Sequence, residues 1–146
     1  MQRWKRTVER GEFMTDREAF DFFGTYVQIT ESGCARRIEV TEEFWRQVMA
    51  GERTDLNDGW LVSSYHMTPE ASGAAWEMHP AGDEILYLIS GEIDIVLTER
   101  DGDRVVALKA GDACIVPRGT WHRQVVSQPA DLLGITFGKG TEHRAG

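Results

Sequence analysis

From residue 60 onward the sequence is a series of short β-like runs separated by turn signals, and this rhythm restricts the possible folds more than any other feature. The segment Glu92-Ile93-Asp94-Ile95-Val96-Leu97 shows it best, with Ile93, Ile95 and Leu97 facing one way and Glu92 and Asp94 the other. Just beyond it, Asp101-Gly102 is a hairpin turn signal. The pattern predicts strands near 60–67, 73–79, 84–89, 92–98, 104–109, 113–116, 121–126 and 131–137. No helical segments alternate with them, so the expected fold is all-β, a closed or sandwiched antiparallel sheet without βαβ units. At 146 residues the chain is one domain in size and can bury about two thirds of its unfolded surface, so no disulfide staple is required. The expected division is an N-terminal extension over 1–59 followed by a β-barrel over 60–140.

One or two short helices are expected in the extension. It opens with MQRWKRTVERGEF, which is charged and shows no period; Met14 follows and is a candidate translation start. Thr15 with Glu18 three positions later forms a capping-box pattern and predicts a short helix over 16–23. A second helix is predicted over TEEFWRQVMAG. Thr41 caps it, Glu42 and Glu43 occupy the positive end of its dipole, and Gly51 suits its C-terminal cap. Phe44, Val48 and Trp45 make up its apolar side, which reads as packing rather than function.

A formal net charge of −8 argues against a general nucleic-acid binder, because neutralising phosphates needs a basic face. No stretch approaches the roughly 18 apolar residues of a membrane span. The basic N-terminus has no apolar region after it, so it does not read as a secretory signal. Cys34 and Cys114 lack any metal or redox spacing and read as structural residues in a reducing cytoplasm.

Chemistry concentrates in WEMHPAGDEILYLISG, residues 76–91. A strand sets residues i and i+2 on one face, so Glu77 and His79 point together. The turn at 80–83 brings the chain back, with Glu84 expected beside them on the adjacent strand. In the later stretch GDACIVPRGTWHRQVV, the turn at 117–120 presents His122, and Gln124 shares its face. Two imidazoles and two carboxylates then converge, the composition of a metal site. Trp76, Trp121 and Arg123 should face away from it, which leaves Arg118 as the cation near the site in sequence. Gln124 and His66 are candidates for contact with substrate or with the ligands, although only one of Tyr65 and His66 can face inward. His143, in the tail TEHRAG, reads as solvated.

These residues resemble the two motifs of the cupin superfamily, G-x5-H-x-H-x3-4-E-x6-G and G-x5-P-x-G-x2-H-x3-N. The first is matched by Glu77-x-His79-x4-Glu84-x6-Gly91 and the second by Gly111-x5-Pro117-x-Gly119-x2-His122-x3-Val126. Glu77 stands where the family's first His is usual, Ala71 where its leading Gly is, and Val126 where its closing Asn is. The resemblance covers about residues 60–137 and implies a double-stranded β-helix, or jelly-roll barrel. It also implies a divalent metal, iron, manganese or zinc, on His79, Glu84 and His122. Glu77 is then either a fourth ligand or a nearby general base. The implied function is a metal-dependent enzyme on a small organic molecule, dioxygenase-, isomerase- or decarboxylase-like, with oxygen chemistry favoured. The alternative is a non-catalytic cupin that binds or senses a small molecule. Cupins commonly dimerise, and the run ILYLI is apolar on both faces, so its outer face should be covered by a second subunit or by the N-terminal segment.

Overall fold

Alternation along the strands decides which side chains go inside. The computed structural model describes residues 18–72 and 75–146. Its strands are β1 (Thr25–Ile29), β2 (Ala35–Glu39), β3 (Trp60–Met67), β4 (Ala75–Met78), β5 (Glu84–Ser90), β6 (Glu92–Glu99), β7 (Gly102–Lys109), β8 (Ala113–Val116), β9 (His122–Val125), β10 (Ala130–Thr136) and β11 (Glu142–Ala145). They form two sheets, ordered β2-β1-β3-β10-β5-β8 and β11-β4-β9-β6-β7, paired antiparallel throughout. This is the jelly roll that the strand rhythm and the motif spacing imply. Leu86 and Leu88 from one sheet meet Ile93, Ile95 and Leu97 from the other, and together with Leu108, Val116, Val126 and Leu132 they fill the barrel. None of the described helices is long and apolar enough to cross a membrane.

The extension is more strand than helix. β1 and β2 form a hairpin that joins the six-stranded sheet through β3, and sequence reasoning missed it, as it missed β11. Between the hairpin and β3 lie helix α1 (Glu42–Met49) and a 3-10 turn at Thr54–Asn57. Thr41 caps α1 as expected, its hydroxyl accepting from Phe44 N at 3.1 Å. Phe44 packs with Tyr26 and Ile38 into a second small core, and Tyr65 touches both this core and that of the barrel.

The helix expected over 16–23 is not found. Asp16 and Arg17 lie outside the described residues, and 18–24 run as an irregular segment ending in a turn. Tertiary contacts replace the helical bonds there. Ser64 Oγ donates to Phe22 O, Phe23 N donates to the Asp21 carboxylate, an Arg37 guanidinium N–H donates to Glu18 O, and the Phe23 ring stacks on His66. The candidate start at Met14 likewise lies outside the described residues. Cys34 lies exposed in the β1–β2 turn, and Cys114, in the apolar run, is half-buried.

Gly59 fixes the entry into β3. Its φ is +75°, and a Cβ there would stand 2.0 Å from Ile29 O. Gly33 has φ +88° with open space around it. Gly59→Ala should therefore cost about 3 kcal/mol and roughly 10 °C in Tm, whereas Gly33→Ala should cost about 1 kcal/mol. Thermal unfolding followed by circular dichroism distinguishes them, and equal losses would contradict this account.

Candidate metal centre

Register assembles the site. β4 lies between β11 and β9, so Glu77 is opposite His143 on one side and His122 on the other, in a single row across the inner face. His79 follows directly after β4 and, two positions from Glu77, shares its side. Glu84 is the first residue of β5 and so comes from the opposing sheet. The turn at 80–83 does not make a hairpin, as the sequence implied; it carries the chain from one sheet to the other. Two bonds lace that turn to the one at 117–120: Gly119 N donates to His79 O at 2.9 Å, and Arg118 N donates to Asp83 Oδ1 at 2.8 Å.

The hydrogen bonds fix the protons. Thr141 donates its hydroxyl proton to Gly138 O at 2.8 Å, so at His79 Nδ1, also 2.8 Å away, Thr141 Oγ1 accepts. Nδ1 therefore carries the hydrogen, and the Nε2 of neutral His79 is a bare lone pair. That nitrogen is buried without a hydrogen-bond partner, 3.1 Å from Glu84 Oε2 but out of alignment with it. His122 repeats the pattern. Its Nδ1 faces Thr120 O at 3.1 Å and must donate, which turns Nε2 toward Glu84 Oε1 at 3.0 Å. Thr136 Oγ1 donates to the other Glu84 oxygen. A carboxylate and two imidazole lone pairs thus meet at one buried point, and only a cation, a proton or a metal ion, relieves their mutual repulsion.

With a proton there, the balance is visible in the pKa values. Burial alone would raise Glu84, but its contacts with His122 and His79 outweigh burial and bring it down to about 2. Burial alone would lower His122, and the hydrogen bond to Glu84 outweighs it and raises the imidazole. Donor atoms of Glu77, His79 and His122 all lie within 4.8 Å of one another, a group capable of holding a metal ion, and Glu84 adjoins both histidines. The donor set therefore fits a divalent ion: neutral imidazoles facing inward, two carboxylates to balance charge, and an orphaned nitrogen.

A cavity of about 290 Å³ opens over this point, lined by Glu77, His79, Thr136, Thr141 and His143. His143 is not solvated as its tail position suggested. β11 carries it to 3.6 Å from Glu77 Oε1, and the approach of that carboxylate acceptor raises its pKa against the opposing effect of burial; nothing in its local sequence signals that long-range pairing. Gln124 lies on the inward side of β9 with His122 but does not line the cavity. His66 points out of the barrel, stacked on Phe23 and hydrogen-bonded to Asp131, while Tyr65 faces in. Arg123 and Arg144 stack on Trp76, and Arg144 also on Trp121, on the outer face. The cation that lines the cavity is instead Arg53, from the extension.

The uncharacterized protein YdbB of Bacillus subtilis (strain 168) is 35% identical over 48 residues, 33% of this chain, and the match spans only 40% of that protein. Among solved structures, a cupin-2 domain containing protein from Shewanella frigidimarina aligns at 19% identity over 53% of this chain and 69% of its own, with a TM-score of 0.43. An oxalate oxidase aligns at 20% identity over 57% and 45%, with a TM-score of 0.49. The oxalate decarboxylase of Bacillus subtilis, a protein with Mn(II) centres, aligns at 23% identity over 59% and 23%, with a TM-score of 0.48. The family described as the cupin domain matches residues 63–137. That match takes in both stretches that carry the candidate ligands and just over half of the sequence, and the chain belongs to this family.

Proposed function

We propose that this protein is a metal-dependent cupin enzyme acting on a small organic molecule. A divalent ion is held by His79, Glu84 and His122, with Glu77 as a fourth donor. One observation carries the reading: inward-facing acceptors without a cation of their own converge, and two of them, Glu77 and His79, line a cavity of about 290 Å³. An ion there supplies Lewis acidity or, where it is iron, oxygen chemistry. Iron, manganese and zinc all suit two imidazoles with carboxylates. The chain's own groups do the remaining work. Thr141 and Thr120 O hold the imidazoles in one tautomer, and Thr136 orients Glu84. Glu77 Oε1 and His143 Nε2 stand 3.6 Å apart at the cavity edge, where Glu77 would meet a bound molecule as a general base. Dioxygenase-, isomerase- and decarboxylase-like reactions are all within reach of such a site, and oxygen chemistry is the one we favour. The nearness of Glu77 favours a second reading, because four protein donors can close a site and leave a binding or sensing module. Two free thiols, one of them exposed, suit a reducing cytoplasm.

The partner we propose, besides the small molecule, is a second copy of the chain. The outer face of the six-stranded sheet exposes Ile29, Trp60, Ile85, Tyr87, Ile89 and Ile115. The outer face of the other sheet carries Glu92, Asp94, Asp103, Lys109 and Arg123. Two copies that each carry a net charge of −8 associate most readily where charge is sparse.

Elemental mass spectrometry on tag-free protein should find near-stoichiometric iron, manganese or zinc, lost in His122→Ala. Thr141→Val removes only the hydroxyl behind His79 and should weaken metal binding about 10–100-fold. Full retention of metal in Glu77→Ala would make Glu77 a base rather than a ligand. A parent that takes up no metal even on reconstitution would leave only the binding module. Light scattering should give a dimer mass for the parent and a monomer for the double variant Tyr87→Glu, Ile115→Glu; a monomeric parent at tens of micromolar would end the dimer proposal.

A further inference from the structure

The cavity over the metal centre is not enclosed by the barrel alone. The wall facing the metal end is built by the extension and by β3: Phe44, Trp45 and Val48 from α1, Leu56 from the 3-10 turn, and Leu61 and Tyr65. Trp45 is fixed by ring contacts to Phe44 at 5.0 Å, Tyr26 at 6.0 Å and Tyr65 at 6.0 Å, yet it remains 38% exposed. An indole so well held, and still uncovered where it lines a cavity, is a contact surface formed before any ligand arrives.

The wall is also anchored from behind. Gln28, wholly buried in β1, donates from Nε2 to Asp55 O at 2.8 Å and to Asp58 O at 2.7 Å, while its Oε1 accepts from Arg36 Nε. Arg36 and Arg53 both pair with the Asp55 carboxylate. The 3-10 turn is thereby tied to the sheet. Arg53 spends its Nε and an NH2 group on Asp55, each at 2.9 Å, and its guanidinium lies 5.1 Å from the centre of the Phe44 ring. The cation that lines the cavity is thus already neutralised and stacked.

Each of these features restricts the ligand. A cavity of about 290 Å³ holds on the order of ten non-hydrogen atoms at about 30 Å³ each, too few for a nucleotide or a disaccharide. One end is polar, with Glu77, His79, Thr141 and His143; the other is aromatic and aliphatic. Two carboxylates neutralise a divalent ion and Arg53 is already paired, so the site has no surplus positive charge for a phosphate dianion.

We propose that the site takes a single flat unsaturated ring bearing one carboxylate or hydroxyl group, with that oxygen at the metal end and the ring against Trp45. This rests on the metal centre proposed above. Trp45 is then the specificity-determining residue, supplied by a part of the chain that lies outside the region matched to the family.

Calorimetric titration of the metal-loaded full chain with benzoate, cyclohexanecarboxylate, acetate and inorganic phosphate tests it. Benzoate should bind at least tenfold tighter than acetate and several-fold tighter than cyclohexanecarboxylate, with phosphate no tighter than acetate. Trp45→Ala should cost benzoate about tenfold and leave acetate unchanged, and Trp45→Phe should keep most of the preference. In the manganese-loaded protein, benzoate should alter the Mn(II) resonance spectrum, which reports contact at the metal end. Equal affinity for acetate and benzoate, no benzoate binding to loaded protein, or a Trp45→Ala loss shared by both acids would overturn the proposal while leaving the metal centre intact. A chain that never retains metal would remove that centre, and with it the basis for the ligand's orientation.

Discussion

Everything at this site depends on three buried acceptors meeting at one point. Taking a carboxylate out of water costs several kcal/mol, and placing it against two imidazole lone pairs adds repulsion unless a cation lies between them. The fold prepares for that cation rather than avoiding the arrangement. Thr141 and Thr120 O hold the hydrogen of each imidazole on the side away from the point of convergence, and Thr136 holds Glu84 from behind. The three threonines come from three parts of the chain, and all of them act to keep lone pairs aimed inward. An arrangement selected only for stability would more readily fill this space with apolar side chains.

The barrel core was the most legible part of the sequence, because its signal is local. Ile93, Ile95 and Leu97 take every second position along one strand, with the charged Glu92 and Asp94 on its other face, and alternation needs no knowledge of partners. His79, Glu84 and His122 were legible for a different reason, since each sits beside a turn whose residues announce it: Pro80 and Gly82, then Pro117 and Gly119. What stayed hidden depends on distant pairing. β1, β2 and β11 have mixed, partly charged sequences such as ARRIE and EHRA, and only their sheet neighbours make strands of them. His143 reaches the site through β11 alone. The helix expected over 16–23 failed for the same reason, because contacts with Ser64, Arg37 and His66 outweighed a local capping pattern.

Tyr65 explains why the extension and the barrel act as one body. It packs against Leu86 and its neighbours on one side and against Tyr26 and Phe44 on the other, and burial raises its hydroxyl far above the usual range, so it stays neutral. His66, one position along, must then point outward, because a strand alternates. A single residue type at position 65 thus fixes both the inner wall of the cavity and the seat of Phe23 on the outside.

The replacement of the family's usual first histidine by Glu77 bears on His143 as well as on the charge balance of the site. A third histidine at 77 would add another lone pair and a neutral donor, and His143 across the strand pair would then face a neutral neighbour. A carboxylate at 77 instead gives His143 a counter-charge at 3.6 Å while lying 3.7 Å from His79 Nε2. Glu77 therefore stands between two roles, donor to a metal on one side and partner of a protonatable imidazole on the other. In the proposed metal centre, which role prevails would depend on how tightly an ion drew that carboxylate away from β11, and β11 would then be part of the site's chemistry and not merely its border.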